Sequence, residues 1–301
     1  MERHNNLMAG RTGVFTLDDQ IYLKCEWQNL TGTPKARLIN QRISRLEMEG
    51  NISPGMTLYD VSTGSEAAAL AQFGSILGYN VRVWLPDYVS TPFKEYVRRF
   101  GAEVEIIDRE NWLSEGSRTA MESAESDPAG FYFNQADAME DAIEAYSSLG
   151  EEFAGFFRSV DIRPDALISV IGTGGLLLGT FTGLKKMFPE IDVYAVELES
   201  APHLHSALYG YEPDIISHRI WGISCEGSTR MKDRLKCIVK DVILIEEGEL
   251  VEETSKIPEN DGISVGYPTA GNIIGARRLL KRGVSTVATI WSDHGWRTLV
   301  E

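Results

Sequence analysis

Residues 57–108 read TLYDVSTGSEAAALAQFGSILGYNVRVWLPDYVSTPFKEYVRRFGAEVEIID, and in this stretch short apolar runs alternate with amphipathic ones. TLYDVS, NVRVWLP and AEVEIID have the length and β-branched content of strands, whereas EAAALAQFGSILG and TPFKEYVRRFG carry the spacing of helices. Gly78 and Gly101 stand just ahead of the next strand, where a helix C-terminal cap belongs. Consecutive β-α-β units of this kind demand a mostly parallel sheet covered by helices.

Outward from this block the pattern recurs. DALISVIG, GLLLGTFTGLKKMF and VYAVELE read as strand, helix and strand, and TVATIWS as a late strand. Between the two series lie a polar stretch, Arg109 to Gly130, which reads as a crossing between domains, the short FYFNQ tract, and a helical segment from about Met139 to Arg158. The expected architecture is α/β: two lobes, each with a mostly parallel sheet, and a ligand cleft between them where strand C-termini and helix N-termini converge.

Composition narrows the function. The 301 residues are 43% hydrophobic, enough for a full core, and the formal net charge of −15 argues against nucleic acid or an anionic membrane as partner. Cys25, Cys225 and Cys237 form an odd set without metal-type spacing, consistent with reduced thiols in a cytoplasmic protein. His203 and His205 would share one face of a strand, but no acid or cysteine completes a metal site, so no metal is expected. No stretch resembles a signal peptide or a membrane span.

Three tracts carry chemistry. In NLTGTPKAR, Asn29 to Arg37, Thr33 suits an N-cap and Pro34 the first helical position, which places Lys35 in the first turn. A cation is misplaced at the positive end of a helix dipole, so Lys35 is either a solvated surface lysine or an amine kept neutral as a nucleophile. In IGTGGLLLG, Ile171 to Gly179, glycines at the start of a helix form a phosphate cup or a tight turn without ligand. A dinucleotide fingerprint would require glycine where Leu177 stands, although Glu197 ends the following strand as a ribose-binding acid would. In DVSTGSEAAALA, Asp60 to Ala71, Thr63 and Glu66 have capping-box spacing at a hydroxyl-rich helix start.

Together these tracts resemble the fold-type II pyridoxal-phosphate enzymes, most closely the cysteine synthase and cystathionine β-synthase branch, from about Gly10 to Glu301. NLTGTPKAR matches the family's NPTGSxKDR, STGSE its TSGNTG loop, and Asn134, Gln135 and Ala136 its NQF tract. Gly172, Thr173, Gly174, Gly175 and Leu176 match GTGGT, GYPTAG (Gly266 to Gly271) matches GISSGA, WGISCEG (Trp221 to Gly227) matches IQGIGAG, and SDHGWR (Ser292 to Arg297) matches PDSGER.

The resemblance implies pyridoxal 5'-phosphate held as a Schiff base on Lys35, its phosphate at Gly172–Leu176 and its phenolic oxygen near Ser65. It implies Thr269 opposite the ring nitrogen, with Asp293 as the competing group. Ser62, Thr63, Gly64 and Gln135 would hold the substrate carboxylate, and Glu66, at the place of a residue that helps hold it, departs from the family pattern: it repels that carboxylate unless one is protonated or a cation bridges them, turns back into its capping box, or meets a substrate with an added amine. Residues 1–38 and 146–301 would form the larger, cofactor-binding domain, and 39–145 the smaller, substrate-loop domain. The implied activity is β-replacement or β-elimination on a small amino acid with a Cβ leaving group, through an aminoacrylate, in a homodimer. A serine/threonine dehydratase-type ammonia lyase and a noncatalytic partner that retains the fold are the rivals.

Overall fold

The structure is a computed structural model, and it describes residues 9–109, 112–134, 138–216, 218, 220–224 and 231–295. Along the chain, β1 (Val14–Leu17), β2 (Ile21–Cys25) and a 3-10 turn (Glu26–Gln28) precede α1 (Lys35–Met48). There follow β3 (Thr57–Val61), α2 (Ser65–Leu77), β4 (Asn80–Pro86), α3 (Thr91–Arg98), β5 (Glu103–Ile107), α4 (Trp112–Ser126) and β6 (Gly130–Tyr132). Then come α5 (Met139–Ser159), β7 (Ala166–Val170), α6 (Gly175–Leu184), β8 (Asp192–Leu198), α7 (His203–Tyr209) and α8 (Lys232–Lys236). The described chain closes with β9 (Val239–Ile245), α9 (Glu247–Asp261), α10 (Tyr267–Lys281) and β10 (Val287–Trp291).

The described chain divides into two compact units, Lys35–Asp141 and, separately, Gly10–Pro34 with the described residues from Ala142 to Gly295. These breaks fall at 34/35 and 141/142, ahead of the expected 38/39 and 145/146, and Lys35 is grouped with the smaller unit. The first shift has a simple cause: α1 starts at Lys35 and runs unbroken to Met48.

In the smaller unit the strand order is β5-β4-β3-β6, all parallel. Gly78 caps α2 at φ +83° and Gly101 turns the chain at φ +85°. The polar stretch from Arg109 to Gly130 does not cross between domains: it contains α4, packed inside this unit. Its buried residues are Gly116, Ala120 and Ala124, a stripe at helical spacing so small and polar in its surroundings that it gives almost no hydrophobic signal. A Cβ on Gly116 would lie 2.6 Å from Val61 Cγ2, so this helix sits close against the sheet.

The larger unit holds a sheet of order β1-β2-β10-β7-β8-β9, antiparallel only between β1 and β2. All five residues of β7 and of β10 are buried, as expected of parallel strands covered on both faces. Ile21, Leu23, Ile168, Val170, Val196 and Ile243 form one core with α9 and α10. Tyr22 packs on Phe157 of α5 with ring centroids 5.2 Å apart, marking the opposite face. Cys25 is buried in β2, as expected of a core thiol, whereas Cys225 lies outside the described residues. No described helix is long and apolar enough to cross a membrane.

Candidate active site

In the smaller unit, α1 begins at Lys35, one residue later than the sequence suggests. Thr33 does not cap it: its buried hydroxyl has no hydrogen-bond partner among the described residues. Lys35 is half-buried in the first turn.

The second tract forms the loop from β3 into α2. Gly64 is the N-cap of α2, at φ +156°, a conformation that favours glycine. Ser62 Oγ accepts from Gly64 N at 3.1 Å and from Ala67 N at 3.2 Å, so the hydroxyl that secures the helix start belongs to Ser62. The expected Thr63–Glu66 capping box does not form. With Gly64 as N-cap, Thr63 falls one place before the cap and Glu66 only two after it, the wrong offset for the reciprocal bonds. Ser65 is the first helical residue.

Glu66 turns inward. It is 6% exposed and hydrogen-bonds with Asp60, itself 3% exposed near the end of β3. Two buried carboxylates this close repel unless one of them holds a proton. Burial first, then Asp60, hold the Glu66 carboxyl well above the usual range, and Lys35 and Arg42 pull in the opposite direction. Arg42 is otherwise engaged, donating from Nε to Phe133 O at 2.7 Å and pairing through Nη1 with Asp141 Oδ2 at 2.8 Å. Its guanidinium lies 5.1 Å from the centroid of the Phe133 ring. Asn134, next in the chain, has φ +43°, a left-handed conformation that asparagine tolerates. Gln135 lies outside the described residues.

In the larger unit, β7 runs into Ile171–Gly175 and then α6. Gly174 is the N-cap at φ +87°, and no side chain caps this ten-residue helix. A Cβ on Gly174 would meet Leu235 Cδ1 at 2.6 Å, and one on Gly175 would meet Ala142 Cβ at 2.9 Å, so both positions exclude a side chain. Gly172, Thr173 and Leu176 are part-exposed around this mouth. Backbone N–H groups at an uncapped helix N-terminus are donors suited to a phosphate. Ser224, absent from the sequence reading, steadies the segment: its N–H donates to Ile171 O at 2.7 Å, and its Oγ accepts from Leu198 N at 2.8 Å.

Thr269, near the start of α10, is fully buried. Its hydroxyl donates to Asp293 Oδ1 at 2.6 Å and lies 3.1 and 3.2 Å from the N–H donors of Ser292 and Asp293. Asn272, another residue missed from sequence, accepts from Val170 N at 2.6 Å and donates to Ile290 O at 2.7 Å, tying the ends of β7 and β10 together. Glu197 takes a different role from the ribose acid. Its carboxylate accepts from Leu204 N and His205 N at 2.9–3.0 Å and so caps α7. Burial pushes it up to about 7 against those same bonds. His203 and His205 stand on α7 and not on a strand, so the one-face pairing is lost.

The structure therefore gathers Lys35, Ser62, Thr63, Gly64, Ser65 and Glu66 into the smaller unit, and Gly172–Leu176 and Thr269 into the larger. The uncapped mouth of α6, closed to side chains at 174 and 175, fits a phosphate group.

Comparison with known proteins agrees. The family described as "Pyridoxal-phosphate dependent enzyme" matches residues 10–293. A probable cysteine synthase of Bacillus subtilis is 27% identical over 282 residues, covering 93% of this chain and 88% of the relative. The solved structure of an O-acetylserine dependent cystathionine β-synthase from Helicobacter pylori superposes with TM-score 0.85 at 25% identity, covering 99% of this chain and 97% of that one. A hydrogen sulfide-producing enzyme of Fusobacterium nucleatum, solved with an α-aminoacrylate intermediate, shares the fold with TM-score 0.86 at 23% identity, covering 100% and 92%. With the family spanning nearly the whole described chain, the chain belongs to the pyridoxal-phosphate dependent enzymes, in the fold-type II branch that includes the cysteine synthases.

Proposed function

We propose that this enzyme carries out β-replacement or β-elimination on a small amino acid bearing a leaving group at Cβ. The observation that carries the reading is the mouth of α6, where glycines at 174 and 175 and the lack of a side-chain cap leave N–H donors for the cofactor phosphate. When bound, pyridoxal phosphate supplies the electron sink that permits loss of the α-proton and of the Cβ substituent.

The chain's own residues supply the rest. Lys35 is the amine that anchors the cofactor and, once released from it, the base for the α-proton. Ser65 offers a hydroxyl to the cofactor's phenolic oxygen. Ser62, Thr63, Gly64 and Gln135 receive the substrate carboxylate, with Ser62 already holding the loop by its bonds to Gly64 and Ala67. Thr269 supports the larger unit's part of the site through Asp293. The larger unit would serve as the cofactor-binding domain and the smaller as the substrate-loop domain. The enzyme would work in the cytoplasm as a homodimer.

Absorption spectroscopy tests this reading. Purified protein should carry a cofactor band that changes on addition of O-acetylserine, O-phosphoserine, serine, threonine or cysteine, and borohydride reduction followed by peptide mapping should place the adduct on Lys35. An adduct on another lysine refutes the anchor. Keto acid and ammonia from serine or threonine, with no product that incorporates sulfide, would identify an ammonia lyase. A bound cofactor indifferent to every amino acid would identify a noncatalytic partner.

A further inference from the structure

We propose that the cleft between the end of α5 and the connection from α6 to β8 is a second ligand site, which takes a small aromatic anion: a carboxylate or phosphate carried on a planar ring. This site is separate from the glycine mouth and independent of what binds there.

Its place in the fold sets it apart. The cleft lies wholly within the larger unit. β7 and β8 run parallel, and β7 leaves the sheet at Val170 toward the mouth of α6. The segments that enter these two strands, 160–165 and 185–191, meet at the other end of the sheet, where Asp192 N donates to Asp165 O at 3.0 Å. Between them opens a cleft of about 360 Å³, a volume in the range of small-molecule pockets.

The floor is apolar and aromatic. Phe157, fully buried, meets Phe188 edge-on, with ring centroids 6.1 Å apart and planes at 85°. Behind it Phe157 stacks on Phe153 at 4.8 Å, so its ring is held from both sides. Ile162 and Met187 complete this surface, and Met187 is 40% exposed. Fixed rings of this kind favour a flat, apolar ligand body.

The rim is cationic. Arg158 and Arg163 line the cleft, and neither makes a hydrogen bond, ion pair or ring contact among the described residues. That is unusual for this chain, whose formal net charge is −15. Elsewhere on its surface Arg82, Arg109, Arg118, Arg277 and Arg282 each pair with a carboxylate. A cation in the last turn of α5 complements the helix dipole, which accounts for Arg158 but not for Arg163, four residues beyond the helix end. The last carbonyls of α5 are already occupied: Phe157 O accepts from Ile162 N at 3.0 Å and Arg158 O from Asp161 N at 3.3 Å. Two unpaired guanidiniums over an aromatic floor suit a planar anion, which their forked donors can grip. Asp161, exposed and at φ +55°, also lines the cleft and offsets one of the two charges. The balance favours a ligand with one anionic group over a polyanion.

The test titrates the holoenzyme with three probes that share one ring system: naphthoate, naphthyl phosphate and neutral naphthol. Binding is followed by isothermal titration and by saturation transfer in NMR. At least one of the anions should bind saturably, about tenfold or more tighter than naphthol, and more weakly as salt is raised. Naphthoate alone would identify a carboxylate ligand, and naphthyl phosphate alone a phosphate. Arg158→Ala and Arg163→Ala should each weaken that anion about tenfold, the effect of losing one charge-assisted hydrogen bond, and leave naphthol unaffected. Asp161→Asn, which the left-handed backbone also tolerates, should tighten the anion by up to about fivefold, because an opposing charge is removed. A purely structural role for these exposed residues predicts no such opposition of sign. Absence of saturable binding by either anion, equal affinity for naphthol, or anion affinity untouched by all three substitutions overturns the assignment. So does an anion that shifts the absorption band of bound pyridoxal phosphate and is displaced by O-acetylserine, because it then occupies the active site.

Discussion

Glu66→Gln should abolish a pH dependence of stability that the wild type carries in its smaller unit. In the folded protein the Glu66 carboxyl is held well above its ordinary 4.5 by burial and by Asp60. Below 4.5 the group is protonated in both folded and unfolded chains and contributes its full stabilisation. As pH rises from 4.5 toward the raised folded value, the unfolded chain releases the proton while the folded chain keeps it. Stability then falls by up to about 1.4 kcal/mol per pH unit for one proton. Above the folded value the loss is complete. Glutamine keeps the volume and can donate to Asp60 without titrating. Urea unfolding of both proteins at half-unit steps from pH 4.5 to 8 should therefore show the variant gaining on the wild type as pH rises. Lys35 and Arg42 act against the effect, so its full slope is the upper bound. A difference that stays constant across the whole range would refute the proton-sharing pair.

Three further outcomes follow from named contacts. Gly174→Ala places a side chain at φ +87° and against Leu235, so cofactor affinity should fall with stability, by about 1–2 kcal/mol from the left-handed backbone alone, measured by denaturation and cofactor titration. Asp141→Asn removes the 2% exposed carboxylate that pairs with Arg42 and Arg45 at 2.8 and 3.0 Å, and should destabilise the smaller unit by about 3–5 kcal/mol in chemical denaturation. Gly183→Ala puts a Cβ 2.6 Å from Glu151 N, where α6 crosses α5, and overpacking should cost about 1–3 kcal/mol, read as a lower urea midpoint.

What the sequence displayed and what it hid divide along physical lines. The alternating units of residues 57–108 were legible because the hydrophobic period changes from strand to helix and glycines mark the ends. α4 was not, because its buried face is glycine and alanine. The glycine mouth at 172–176 was legible as local chemistry that requires no distant partner. Arg42 to Asp141, Asn272 to the ends of β7 and β10, and Ser224 to Ile171 are tertiary contacts, and nothing local distinguishes such residues from others of their type. Glu66 is the instructive intermediate: its spacing from Thr63 satisfied a capping rule, but the helix starts one residue too late for the rule to operate.

That late start belongs to a wider arrangement. The N-caps of α2, α6 and α10 are Gly64, Gly174 and Gly266, none with a side-chain cap, whereas that of α3 is Ser90, whose Oγ accepts from Phe93 N at 3.4 Å. The glycines serve different ends. Gly174 is required by its backbone angle and by Leu235 together. Gly266 has an ordinary extended conformation, but a Cβ there would collide with the Asp293 carboxylate, so its missing side chain is what lets Asp293 reach Thr269. In the larger unit, then, the glycine mouth of α6 and the Thr269–Asp293 lock are both set by backbone and by glycine.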